Sequence, residues 1–215
     1  MRAMFGLLAA LAATGIAWSE TQKSPYAFHH EEYGQADLVT LREKYDFDEV
    51  VSKGKTELEQ MILLQDWVYR TVAYGGAPQY VDLRNSLTIL SLASRGEEFW
   101  CNNMAAVFLQ AAASMGWTAR YAFLRSPDGD AHITNDIWSN DLKKWILLDA
   151  TWNLHLERGG VVLSVPEVRE VWATQTMADL TYVFGAGADE RRYTVADMPI
   201  ERDDSKLWGW WPVDQ

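Results

Sequence analysis

Trp100-Cys-Asn-Asn-Met-Ala-Ala-Val-Phe-Leu-Gln-Ala-Ala-Ala-Ser-Met-Gly116 carries apolar residues at Cys101, Met104, Ala105, Phe108, Leu109, Ala112 and Met115, one stripe with a period of 3.6. The spacing predicts an amphipathic helix, which Gly116 ends as a C′ glycine. Cys101 then sits in the first helical turn. Downstream the period changes to two: Thr118–Leu124 and His132–Ser139 read as strands joined through Ser126-Pro-Asp-Gly129, and Lys144–Asp149 reads as a third. The order of elements is therefore helix, strand, strand, strand.

Outward from this segment the signals remain helical. Thr56-Glu-Leu-Glu59 is a capping box, and apolar residues at Leu58, Met61, Ile62, Val68 and Val72 extend it into a helix over about 57–73. Leu83, Leu87 and Leu90 place a shorter helix within 82–94, while Leu41-Arg-Glu-Lys-Tyr45 is a short helix or an extended lead-in. Ser164-Val-Pro-Glu167 is a second capping box with proline in the first turn, so a helix runs to about Ala173, and Thr181–Phe184 reads as a further strand.

The amino end has a different character. Arg2 precedes an apolar run from Met4 to Ala17 that closes on Ala17-Trp-Ser19, the pattern of a signal peptide over residues 1–19 and too short to span a bilayer. Expected is one domain over 20–215, with a core at about 56–155 and a C-terminal extension over 156–215. No membrane span is expected after cleavage, and the location is secreted or periplasmic. A single cysteine in 215 residues excludes an intramolecular disulfide and a cysteine-based zinc site. The net charge of −11 repels phosphate backbones, so nucleic acid is not an expected partner. The acidic excess fits a solvated surface, and a preference for basic peptides would fit it equally.

A helix N-terminus favours negative charge and so favours a thiolate at Cys101, although Glu97 and Glu98 would oppose this if they pointed at the sulfur. The thiol needs a base. Of the four histidines, His29 and His30 lie in an unpatterned lead-in and His155 follows the third strand, which leaves His132. If the last two strands form a hairpin around Asp141-Leu142, paired residue numbers sum to 283 and Asp149 faces Thr134. His132 and Asp149 are then diagonal neighbours on one face, close enough for a carboxylate to fix an imidazole tautomer. The roles follow: Asp149 orients His132, His132 takes the proton of Cys101, and the thiolate attacks an acyl carbon to give a thioester.

Gly96-Glu-Glu-Phe-Trp-Cys101 leading into an alanine-rich helix resembles the transglutaminase-like core. So do Met115-Gly-Trp-Thr-Ala-Arg-Tyr121, His132 with Asp136 four residues on, and Lys144-Trp-Ile-Leu-Leu-Asp149-Ala-Thr151. The resemblance covers about Gly96 to Asn153 and is to bacterial secreted members, with gaps of 31 residues from Cys101 to His132 and 17 from His132 to Asp149. It implies an α+β, papain-like fold in which the Cys101 helix packs on an antiparallel sheet, a Cys101, His132 and Asp149 triad, and a thiol-dependent hydrolase or acyltransferase acting on amide or peptide bonds of a protein, peptide or cell-wall substrate. Metal and cofactor are not implied, calcium included. For the side chain of the oxyanion hole, Trp67 and Trp100 are the candidates.

Blander readings stand beside these. Cys101 alone is a core thiol, Asp149 a turn residue, and a metal site of Cys101, His132 and Asp149 lacks a fourth ligand. A catalytically inactive module that binds peptide or glycan on the same scaffold is the alternative function. Asp136 and Asn153 are either supports of the triad or surface polar groups. Trp67, Trp117 and Trp172 fall where core packing explains them, whereas Trp100, Trp138 and Trp152 are the candidates to contact substrate, with Trp145 beside them. Trp208, Trp210 and Trp211 are expected to cover the edge of the core.

Overall fold

A computed structural model describes residues 34–76, 78–125, 131–174 and 176–197. All of them fall in one compact unit within Glu31–Gln215. The expected signal peptide, His29 and His30, and Trp208, Trp210 and Trp211 lie outside the described residues.

Five helices come first. α1 (Ala36–Lys44) and α2 (Phe47–Val51) occupy the lead-in that sequence left open between helix and extended chain. α3 (Glu57–Thr71) starts at Thr56, whose hydroxyl accepts the Glu59 amide at 3.2 Å. The return bond of the box comes one residue early, since the Glu59 carboxylate takes the Lys55 amide at 2.6 Å. α4 (Ser86–Ala93) is capped by Asn85, which accepts the Thr88 amide at 2.9 Å, and is preceded by a 3-10 turn at Pro78–Tyr80. α5 (Cys101–Ser114) begins at the cysteine itself, and Gly116 follows with φ of 85°, the left-handed geometry that favours glycine.

β1 (Ala119–Arg125), β2 (Ala131–Ser139) and β3 (Lys144–Leu148) form an antiparallel sheet in the order β1-β2-β3. β2 pairs with β3 as Trp138 to Trp145 and Asn135 to Leu148, the register whose numbers sum to 283. Alternation along these strands divides the molecule. Ile137, Ile146 and Leu148 point into a core with Met61, Leu64, Val68, Phe99 and Phe108 from the helical layer. Leu124 and Leu147 point the other way, into a second core with Leu154, Leu156, Val168, Val171, Leu180 and Tyr182. β2 and β3 therefore lie between two cores, while β1 leaves Tyr121 and Phe123 exposed.

That second core belongs to a sheet of order β5-β4-β6-β7, built from β4 (Leu154–Arg158), β5 (Val161–Val162), β6 (Leu180–Phe184) and β7 (Arg191–Thr194), with α6 (Val165–Ala173) crossing from β5 to β6. The expected boundary near 155 falls inside β4, so residues after it complete the fold rather than extend it. Ser164 and Glu167 close the expected capping box through the Ser164 amide, 2.7 Å from the Glu167 carboxylate. Among the described residues no helix is long and apolar enough to cross a membrane.

Candidate active site

The backbone carbonyl of Trp100, an extended residue before α5, accepts the amides of Asn103 and Met104 at 3.0 and 3.1 Å. Cys101 is the first helical residue, so its own amide has no helical carbonyl to meet. The chain entering the helix is held by a parallel bridge between Phe99 and Tyr74: the Phe99 amide donates to Ala73 at 2.9 Å, and the Gly75 amide to Phe99 at 3.1 Å. The Glu98 carboxylate folds onto Gly75, at a position where a Cβ would collide with it.

His132 is the second residue of β2 and Asp149 follows β3. Imidazole Nε2 lies 2.5 Å from the Asp149 Oδ2, and both side chains are buried. The other carboxylate oxygen accepts the Thr151 and Trp152 amides at 2.8 and 3.2 Å. Backbone bonds between Asp149 and Leu154 at 2.9 and 3.0 Å close the turn. With Nε2 engaged, the remaining ring nitrogen, Nδ1, is the one that hydrogen-bonds the Cys101 thiol. Cys101, His132 and Asp149 thus form a continuous hydrogen-bonded chain.

Burial pushes the His132 imidazolium toward deprotonation, but the charge and hydrogen bond of Asp149, with the bond to Cys101, overcome it and carry its pKa up to about 10. Burial likewise pushes the Cys101 thiol up. The hydrogen bond and charge of His132, then the backbone N–H of Ile133, outweigh burial and hold the thiol below its ordinary value, with Asp149 opposing. Asp149, rather than Glu97 or Glu98, is the acidic residue that acts against the thiolate. Tyr74 responds to the same charges: burial, then Cys101 and Asp149, raise its phenol.

The tryptophans divide. Trp152 packs between the His132 ring, at 6.2 Å between centroids, and Tyr74, at 5.6 Å. Trp100 lines a cleft of about 340 Å³ beside Cys101. Trp138 does not reach it. This residue pairs edge-on with Trp145 at 5.8 Å, six residues along β2 from His132, which is about 20 Å of extended strand. Arg120 covers the Trp145 face at 4.1 Å. Trp67 is also displaced from its oxyanion candidacy, since its ring packs on Tyr45 and Phe47 at 5.6 and 4.9 Å and does not line the cleft. Trp117 is buried in the helical core, and the Trp172 side chain lies outside the described residues.

Asp136 is buried but does not touch the triad; its carboxylate takes Arg120 at 2.8 Å and the Val165 amide at 3.2 Å, fastening α6 to β2. Asn153 holds the turn that carries Asp149, donating to Asp66 at 2.6 Å and accepting from Gln65 at 3.2 Å, both on α3. His155 is buried in β4, 3.3 Å from Glu157, which also binds Arg192. Among the described residues no group of three or more His, Cys, Asp or Glu side chains is arranged to hold a metal ion.

Sequence reading missed the cleft's other walls. Asn102 and Asn103 clamp the 78–84 turn: Asn102 donates to Val81 at 2.6 Å, and Asn103 to Tyr80 and Leu83 at 2.8 Å each. Val81 and Arg84 reach the cleft this way, with Tyr74, Phe123, Ala131 and Ile133 completing it. Two consecutive amides at the head of an otherwise apolar helix were the available signal.

A cysteine opening a helix, linked through a strand histidine to a carboxylate in an α+β fold, defines a thiol-enzyme-like module. Residues 47–150, a little under half of the chain, match the model of the transglutaminase-like superfamily. Solved structures similar to it include a candidate cysteine protease from Cytophaga hutchinsonii, at 17% identity and a TM-score of 0.44, over 56% of this chain and 39% of that one. Another is a TGase at 15% identity and a TM-score of 0.43, over 53% of this chain and 31% of that one. The chain therefore matches well under half the length of either. Among curated proteins none matches it in sequence.

Proposed function

We propose that the chain is a secreted or periplasmic thiol enzyme that cleaves amide or peptide bonds through a thioester on Cys101, passing the acyl group to water or to an amine. The observation that carries this reading is the buried 2.5 Å contact of His132 Nε2 with Asp149, which leaves Nδ1 to the thiol. The apolar run from Met4 to Ala17 supports export.

In this mechanism the thiolate of Cys101 adds to the carbonyl carbon, and the oxyanion that forms is met by the Cys101 amide, which the helix does not use. His132 gives its Nδ1 proton to the departing amine as the carbon–nitrogen bond breaks. Water or an amine then adds to the thioester, His132 takes its proton, and the carbon–sulfur bond breaks to restore the thiolate. Asp149 keeps the ring oriented throughout and stabilises its positive charge whenever the ring carries one.

Alkylation of Cys101 followed by intact mass tests the reading. The rate should stay high well below pH 8 and fall only on the acid side, as the thiolate is protonated. A single rise near the free-thiol value of about 8.5, unchanged by His132→Ala, would sink the enzyme reading in favour of an inactive binding module. Mass spectrometry after an activated ester, with and without a fluorescent primary amine, then separates hydrolysis from transamidation.

A further inference from the structure

The walls of the cleft suggest what it takes. Tyr74, Phe123 and Val81 stand beside Cys101 with 52%, 50% and 37% of their surface exposed, an apolar lining left open to water. Among the described residues the lining has one ionic side chain besides the thiol, Arg84. Its guanidinium is held by two backbone carbonyls, Val81 at 2.6 Å and Leu83 at 3.0 Å, which orient the charge without neutralising it. Its own carbonyl is fixed by Gln110 at 2.9 Å. A second cation lies close, since the Arg125 guanidinium sits 5.6 Å over the Phe123 ring. A chain with a net charge of −11 therefore presents cations and apolar surface at the mouth of its reactive thiol.

We propose that the acyl donor is a short peptide or amide with an apolar side chain next to the reacting carbonyl and a carboxylate one residue away that meets Arg84. This rests on the thiol reading of Cys101. The cleft of about 340 Å³ is at the small end of ligand sites, so the recognised unit is one or two residues. Apolar area on Tyr74, Val81 and Phe123 is covered by the first side chain. The second forms a charge-assisted hydrogen bond with a guanidinium whose planar fork suits carboxylate. The acidic surface as a whole repels such a donor, so any preference for it must originate in the local cation. A preference for basic peptides, which net charge alone allows, is the opposite outcome.

The test uses the full chain and three electrophilic peptide ketones, each with leucine beside the reactive group and then glutamate, glutamine or lysine, with second-order labelling of Cys101 followed by intact mass. The glutamate probe should label about fivefold faster than the glutamine probe, and the lysine probe slowest. Arg84→Gln, which keeps donors for Val81 and Leu83 but removes the charge, should abolish that order; Arg84→Lys should restore part of it. Equal rates in the wild type, a faster lysine probe, or an equal fall for all three probes in Arg84→Gln would overturn the substrate class and leave the thiol reading standing. Failure of every probe, with iodoacetamide reporting an ordinary thiol, would overturn both.

Discussion

Asp149 uses both carboxylate oxygens, one on His132 and one on two backbone amides of its own turn, so it has a single orientation. Its effect on the thiol is indirect: it opposes the thiolate by its own charge yet sustains the imidazolium that stabilises it. Asp149→Asn keeps the shape and removes the charge. Turnover of any accepted amide should then fall about a hundredfold or more, and its alkaline limb, where the His132 acid is lost, should move down from about 10 toward the ordinary histidine value. An unmoved limb in that variant would show that Asp149 does not set the state of His132. At this scale sequence was informative where the partners share a strand register. His132 and Asp149 were legible because side chains alternate with a period of two and the hairpin loop is short. Trp138 and Trp67 were misjudged because proximity in sequence does not give direction along a strand or around a helix.

Among the elements, the union between α3 and the turn after β3 carries the site. Asn153 adopts a left-handed backbone with φ of 51° and uses its amide to bridge Asp66 and Gln65 of α3, while the same turn presents Asp149 and Trp152. Asparagine tolerates that backbone better than most residues. Asn153→Ala loses both bonds and adds strain, for a cost of about 2–4 kcal/mol in urea unfolding. Asn153→Gly relieves the backbone and should recover about 1 kcal/mol of it. If the two variants unfold at the same urea concentration, strain at this turn is not part of the cost. Helices α3, α4 and α5 and strands β1, β2 and β3 were readable from period and capping boxes, but β4, β5 and β7 were not. Their residues, such as Leu154-His-Leu-Glu-Arg158, alternate too briefly, and β4 is a strand because β5 and β6 flank it.

For the molecule as a whole, the central sheet stands between two cores, and the triad sits where α5 meets it. Placing a charged pair there couples stability to pH. His132, raised from 6.5 to about 10, contributes stability that is complete below 6.5 and lost as pH rises through about 10. The thiol has the opposite sign: its lowered pKa contributes stability above the ordinary thiol value, lost as pH falls through the lowered one. Comparing Cys101→Ala with Cys101→Ala/His132→Gln isolates the imidazolium and Asp149. The difference in denaturation midpoint should shrink steadily from pH 6.5 upward, and a difference that grows with pH would contradict the assignment. What sequence determined by itself was local and periodic: the helix that begins at Cys101, the hairpin register that joins His132 to Asp149, and the α+β class. Tertiary structure alone decided which residues wall the cleft, because Tyr74, Arg84 and Phe123 come from three separate segments with no shared period. They are brought together only when the asparagines after Cys101 clamp one turn, a backbone bridge holds another, and the sheet closes the third side.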